Sequence, residues 1–288
     1  MGSDDHYPEE RPALLVEVSD FLIERAPVTN ASYLAFVAET GYVTVAERPL
    51  DPDEFPGAPA ENLVPGSMVF RRTARPVDLR HLSLWWAWTP GACWRHPEGV
   101  ASNLEGRADH PVVHVAFEDA RAYATWAARD LPTEAEWERA ARGGREGAVF
   151  VWGDDHEAEQ PLANYWHGDF PWRSAPGYGT TSAVGAYPAN DYGLFDMAGN
   201  VWEWTLDWYA ESPEATGECC VPRDPRGGDE AGSRDSAQPQ FAVPRRVVKG
   251  GSFLCADSYC MRYRPAARRP QAIDTGMSHI GFRCVAHG

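Results

Sequence analysis

Regular periodicity runs out halfway along this chain, and that loss constrains the fold more than any other feature. Up to residue 144, apolar residues recur at helical spacing. Beyond it, short Trp-, Tyr- and Phe-rich pieces alternate with Gly, Pro and Asn, as in Asn190-Asp-Tyr-Gly-Leu-Phe-Asp-Met-Ala-Gly-Asn-Val-Trp-Glu-Trp204. Such a pattern predicts tight turns and short strands. The 12 tryptophans then have to build much of the core of a domain poor in regular structure. The predicted class is α+β with unusually much irregular backbone.

Three helices are predicted in the first half. Thr29 or Asn30 can cap a helix whose Tyr33, Phe36 and Val37 share a face, with Gly41 as its stop. A second begins near Glu118 and Asp119, acids suited to its N-terminal dipole, turns Ala120, Tyr123, Ala124 and Ala127 inward, and ends near Arg129. Thr133 and Glu136 form a capping box for a third, which carries Trp137, Ala140 and Ala141 until Gly143-Gly144. Residues 210–245 and 48–62, rich in Pro, Gly and polar residues, read as variable loops, the former solvated or partly disordered. No internal repeat is visible, so the expectation is one domain over 1–288.

A formal charge of −16 with no basic stripe argues against nucleic acid and anionic membranes as partners. It favours cationic ligands, such as an Arg-bearing peptide, through steering that salt weakens. No apolar run approaches the roughly 20 residues of a membrane span, and the first ten residues lack the regions of a signal peptide. The expected location is cytoplasmic. Six cysteines are too sparse for a disulfide scaffold.

Two of those cysteines, Cys255 and Cys260, lie five apart within Lys249-Gly-Gly-Ser-Phe-Leu-Cys-Ala-Asp-Ser-Tyr-Cys-Met-Arg-Tyr-Arg264. Neither a strand nor a helix puts positions i and i+5 on one face, so the thiols converge only if the backbone turns between them. Converging thiols suit either a disulfide or a soft ion such as Cu(I). The alternative is two inert buried thiols. Cys93, Cys219, Cys220 and Cys284 read as bystanders, the adjacent Cys219-Cys220 exposed in a polar loop. His110 and His114 follow a strand-like run, which favours core or capping roles over a zinc pair. Trp85, Trp86 and Trp88 read as packing residues before groove residues.

The blocks Asp109-His-Pro-Val-Val-His114, Leu131-Pro-Thr-Glu-Ala-Glu-Trp-Glu138, Tyr192-Gly-Leu-Phe-Asp-Met-Ala-Gly-Asn-Val-Trp-Glu-Trp204, Gly250-Gly-Ser252 and Gly281-Phe-Arg-Cys284 together resemble the formylglycine-generating enzymes of the sulfatase-modifying-factor superfamily. The resemblance implies their α+β fold, related to C-type lectins. Most of these blocks mark the fold alone. The part specific to the enzymes is Gly-Gly-Ser followed by the Cys255/Cys260 pair and Tyr263-Arg264.

That resemblance implies an oxidoreductase of sulfatase maturation. Cys255 and Cys260 would bind Cu(I), a substrate cysteine would add a third thiolate, and dioxygen would be the oxidant. Loss of hydrogen from the substrate Cβ gives a thioaldehyde, which water converts to Cα-formylglycine. The usual substrate is an unfolded sulfatase segment carrying Cys-x-Pro-x-Arg. Ser252 would hydrogen-bond near the oxygen or the substrate sulfur, while Trp202 and Tyr259 would shape a dry pocket. The resemblance also implies structural calcium, with Asp196, Gly199, Val201 and Glu203 as one ligand set. A second set would draw on Asn164 and the carbonyls of Tyr165 and Tyr178, but Pro176 stands where an aspartate is usual.

Ala256 replaces a common histidine, and Gln271-Ala-Ile-Asp-Thr-Gly276 replaces the usual Asn-Thr-Pro-Asp-Ser-Ser of the substrate groove, of which Asp274 survives. Ala124 and Ala141 occupy positions of disulfide cysteines in secreted relatives. These departures leave two alternatives beside the formylglycine oxidase: a related copper oxidase of another thiol, and a non-catalytic lectin-like binding domain.

Overall fold

Three capped helices fill the first half of the fold, as the sequence predicts. The computed structural model describes residues 1–52, 59, 63–155, 160–211, 221–239 and 242–288. Helix α1 (Asn30–Thr40) starts at Thr29, whose hydroxyl accepts from the Ser32 amide, and ends at Gly41 with φ 68°. Helix α2 (Phe117–Trp126) is tied by Asp119, whose carboxylate accepts from the amides of Ala116 and Val45 and from the Tyr42 hydroxyl. It stops three residues short of Arg129 because Ala128 turns left-handed, at φ 53°. Helix α3 (Glu134–Arg142) has the predicted capping box, Thr133 with Glu136, and a left-handed Gly143.

The strands are short. In chain order they are β1 (Leu22–Ile23), β2 (Gly66–Phe70), β3 (Trp86–Pro90), β4 (Gly168–Asp169), β5 (Arg173–Ser174), β6 (Trp202–Trp208), β7 (Arg245–Lys249), β8 (Arg268–Ala272), β9 (Ile280–Gly281) and β10 (Val285–Ala286). Among the described residues the largest sheet has four strands in the order β8-β7-β6-β9, antiparallel except for the β6–β9 pair. Two-stranded pairs β1–β10, β2–β3 and β4–β5 surround it. The result is the α+β class with little regular structure.

Aromatic residues supply the core that the short elements cannot. Tyr33, Phe36, Trp94, Trp202, Trp204 and Phe282 share one buried cluster with Cys255 and Cys260. A second cluster joins Trp85, Trp86, Trp166 and Phe170 to Phe253, Leu254 and Ala256. The Cys255 segment therefore lies between the two clusters and has side chains in both.

The described part of the 210–245 segment is mostly exposed and is held to the sheet at a few points. Residues 221–239 are anchored: the buried Asp207 accepts from the Gly227 amide and from Arg226, and the fully buried Ser233 accepts from the Arg245 amide. A polar composition concealed these contacts because their partners lie in β6 and β7. Cys219 and Cys220, and most of 53–62, fall outside the described residues.

Candidate active site

The chain turns between Cys255 and Cys260, as their convergence requires. The Cys255 amide donates to the Ser252 carbonyl (2.9 Å), and the amides of Tyr259 and Cys260 both donate to Ala256 O (2.9 and 2.6 Å). Two left-handed glycines lead into the turn, Gly250 at φ 93° and Gly251 at φ 72°. The two sulfurs come within 3.5 Å of each other, as free thiols.

The pair is electrostatically unequal. Burial pushes the Cys255 thiol well above its ordinary value, and its hydrogen bond to Cys260 holds the proton there. Cys260 is pulled down to about 6, first by accepting that hydrogen bond and then by the Arg262 guanidinium, whose Nη1 donates to Sγ at 3.8 Å. Of the two, Cys255 holds its proton the more tightly. Cys255 keeps 2 % of its surface exposed and Cys260 9 %, and the loop Asp257–Tyr259 beside Cys260 is exposed. Both cysteines are thus buried, and the exposed segment 257–259 lies between them.

The other residues implied for the active site sit around this turn. Ser252 is fully buried, with its hydroxyl accepting from the Leu254 amide at 3.3 Å. Tyr259 stands at the rim, 37 % exposed, stacked on Phe170 at 4.8 Å and edge-on to Trp85 at 5.6 Å. Trp202 is buried in the cluster that holds both cysteines. Tyr263 donates to the Asp257 carboxylate and stacks on Tyr165 at 4.3 Å, which fixes the loop from its two ends.

A soft ion fits the pair, since metal–thiolate bonds of about 2.3 Å allow two sulfurs at this separation to share one ion. The calcium sets fit unevenly. Glu203 is fully buried, but Arg283 takes both its oxygens (2.7 and 2.8 Å) and Trp137 Nε1 takes one (2.8 Å). Asp196 accepts from the Gly185 amide and Asn200 Nδ2. The carboxylates expected beside Gly199 and Val201 are thus committed to protein donors. In the second set, Ser174 Oγ already donates to the Tyr178 carbonyl. Asn164 Oδ1 is different: it is buried without a hydrogen-bond partner, the state of an oxygen that a cation would satisfy.

The remaining sequence candidates resolve simply. His114 is buried, with its ring nitrogens against Ser67 Oγ and Pro97 O, both 2.8 Å. His110 Nδ1 meets Thr181 Oγ1, and its carbonyl accepts from the Asn30 amide at the start of α1. Cys93 and Cys284 are buried. Trp85 and Trp86 pack, while the half-exposed Trp88 lines a separate groove of about 800 Å³ with Arg48, Ala272, Asp274, Thr275 and Gly276.

Sequence reasoning missed Arg262, Glu9 and Tyr7, which meet at Cys260. Arg262 donates to Glu9 Oε1 (2.6 and 3.1 Å) and lies 3.8 Å from the Tyr7 ring centroid. No local signal links positions more than 250 apart.

Comparison with known proteins places the whole chain in one family. Residues 1–287 match the sulfatase-modifying factor enzyme 1-like domain. A formylglycine-generating enzyme of Mycobacterium tuberculosis is 54 % identical over 99 % of this chain and 94 % of its own length. An inactive C-alpha-formylglycine-generating enzyme 2 of Bos taurus is 36 % identical over 99 % and 84 %. Among solved structures, PvdO from Pseudomonas aeruginosa shares the fold, with a TM-score of 0.61 at 22 % identity over 99 % and 89 % of the two chains. On the full-length match and the identity to its relatives, the chain belongs to the formylglycine-generating enzyme family of sulfatase-modifying factors.

Proposed function

We propose that this chain is an active, copper-dependent oxidase that uses dioxygen to convert the cysteine of a Cys-x-Pro-x-Arg sulfatase segment to Cα-formylglycine. One observation carries the reading: Cys255 and Cys260 present two free sulfurs 3.5 Å apart at either end of an exposed turn. Family membership alone would not carry it, because the family includes a relative called inactive.

Bound copper would supply one-electron chemistry with dioxygen, which neither thiols nor aromatic rings provide. The rest is the work of this chain. Cys255 and Cys260 would hold the ion as thiolates, so any thiol proton they carry would leave on binding and uptake would depend on pH. Trp202, Phe253 and Leu254 keep water from the buried side. Ser252, whose carbonyl accepts from the Cys255 amide and whose hydroxyl accepts from the Leu254 amide, would hold the turn that presents Cys255. Tyr259, held by Phe170 and Trp85, lines the entry. The substrate Cβ–SH loses two electrons and two protons to dioxygen, and water then replaces sulfur, which leaves as hydrogen sulfide.

Calcium belongs to the proposal at Asn164, on its unpartnered Oδ1. At Asp196 and Glu203 an ion would first have to displace Arg283. A cytoplasmic location is also proposed, in keeping with free thiols at all four described cysteines. No helix among the described residues is long and apolar enough to cross a membrane.

A second reading, oxidation of a different thiol, is favoured by the 271–276 segment. A Cβ at Gly276 would lie 2.5 Å from the His114 carbonyl carbon, so the usual serine does not fit here and the groove wall differs. Mass spectrometry of a Cys-x-Pro-x-Arg peptide after aerobic incubation with the Cu(I)-loaded chain tests both. Formylglycine in the peptide, absent with Cys255→Ser or Cys260→Ser, is the expected result. An intact peptide despite stoichiometric Cu(I) would favour the other thiol, and no copper uptake would leave a binding domain.

A further inference from the structure

We propose that Arg262 is the positioning residue for Cys260, and that the N-terminal segment Tyr7–Glu10 is the part of the site that holds Arg262 in place. The inference rests on the copper-site reading above and adds a second layer to it.

Arg262 uses its whole guanidinium. Nη1 donates to Cys260 Sγ at 3.8 Å, while Nε and Nη2 donate to the same Glu9 oxygen at 3.1 and 2.6 Å. The Tyr7 ring lies 3.8 Å from the guanidinium carbon, and the Tyr7 hydroxyl accepts from the Met261 amide at 3.1 Å. Three groups from positions 7–9 thus converge on the tripeptide Cys260-Met261-Arg262. Directly behind, Arg264 makes two bonds to Glu10 (3.0 and 2.5 Å), and that pair is completely enclosed. The N-terminal segment is fastened to the cysteine loop at four successive points.

An ordinary surface ion pair would not warrant this reading, since such pairs contribute little. Here the Arg262 and Glu9 side chains are 26 % and 18 % exposed, and the guanidinium faces a sulfur buried in an aromatic cluster. Two thiolates around a monovalent cation carry a net negative charge. A fixed guanidinium in contact with one of them offsets it and orients the sulfur's remaining lone pairs. Partners outside the coordination shell commonly set metal affinity in this way. Arginine suits the task because its fork serves the carboxylate and the sulfur at once, which the single ammonium of lysine cannot.

The test measures Cu(I) affinity of the full chain under anaerobic conditions, by competition with a chromophoric Cu(I) chelator, alongside thermal unfolding of the metal-free protein. Arg262→Gln is expected to weaken Cu(I) binding about 10- to 100-fold. Arg262→Lys should recover part of that loss, and Glu9→Gln, which keeps the guanidinium but loosens it, should give a smaller decrease. A clamp that only stabilised the fold would lower the melting temperature and leave the affinity of folded protein unchanged. That result overturns the proposal, and if Arg262→Gln does not fold, unchanged affinity in Glu9→Gln overturns it equally. Failure of the unaltered chain to bind Cu(I) would overturn the oxidase reading as well, whereas tight binding unaffected by the substitutions overturns this inference alone.

Discussion

Replacing Gly251 by alanine should disturb the cysteine pair without touching either sulfur. A Cβ at this position would stand 2.8 Å from the Arg262 carbonyl oxygen, 2.8 Å from Tyr263 Cα and 2.9 Å from Tyr263 N. All three are backbone atoms, unable to rotate away. Gly251 is also left-handed, at φ +72°. The left-handed conformation costs an L-residue about 1–2 kcal/mol, and forcing packed backbone apart adds about 1–3 kcal/mol. Gly106 separates the two costs: it has the same φ, +72°, but open space within 4 Å of its Cβ direction. Taking about 2 °C per kcal/mol for a chain of this size, Gly106→Ala should melt about 2–4 °C lower and Gly251→Ala about 4–10 °C lower. The excess belongs to the contact between the two arms of the cysteine turn, so Gly251→Ala should also lose Cu(I) affinity while Gly106→Ala retains it. Calorimetry of the metal-free proteins and anaerobic Cu(I) titration give both numbers. Equal melting losses in the two variants would refute the reasoning.

Two further predictions concern buried charge. Glu138 is fully enclosed; burial alone would raise it, but Lys249 and Arg142 hold it down to about 2. A carboxyl lowered from 4.5 contributes stability that is complete above pH 4.5 and lost as pH falls towards 2, on the order of 3 kcal/mol. Denaturant midpoints measured from pH 6 to pH 2.5 should fall through this window, and Glu138→Gln, less stable at pH 6, should show a flatter profile; parallel profiles would count against the assignment. Arg283→Met leaves the Glu203 carboxylate buried with, among the described residues, only Trp137 Nε1 as donor and should cost about 3–5 kcal/mol. Adding Glu203→Gln should recover much of the loss in chemical denaturation, and a double variant no better than the single one would show that the pair is not the source.

The helices were legible in the sequence because their signals are local. Thr29, Thr133, Glu136, Gly41 and Gly143 act within four residues of where they stand, and each does what its position predicts. The end of α2 was not, because nothing in Ala128 announces a left-handed residue. At the site, the spacing of Cys255 and Cys260 required a turn, and the turn is there. What the sequence concealed is the buried charge. Glu134 and Glu138 are buried in α3, where an apolar-face reading selects only Trp137, Ala140 and Ala141. They are inside because Arg268 and Lys249 meet them, from positions more than 100 residues away. The partner of Glu203 is concealed in the same way, since Arg283 lies 80 residues further on.

These ion pairs explain how a fold with so little regular structure can hold a reactive loop still. Lys249, at the end of β7, is fixed by Glu138 and Glu134 just before Gly250 and Gly251 begin the cysteine turn. Arg264, just after the turn, is fixed by Glu10, and Arg268 at the start of β8 by Glu134. Both ends of the loop that carries Cys255 and Cys260 are thus anchored by charges that water hardly reaches. Such pairs add little net stability over well-packed apolar groups, because desolvation offsets most of the attraction. Breaking one is costly, however, and a mispositioned partner leaves a bare charge inside the protein. An apolar core tolerates a loop that slides, since one greasy contact replaces another. A core wired by bidentate pairs does not, and the proposed role of the sulfur pair, to meet a single small ion within tenths of an ångström, would require a loop with one position only.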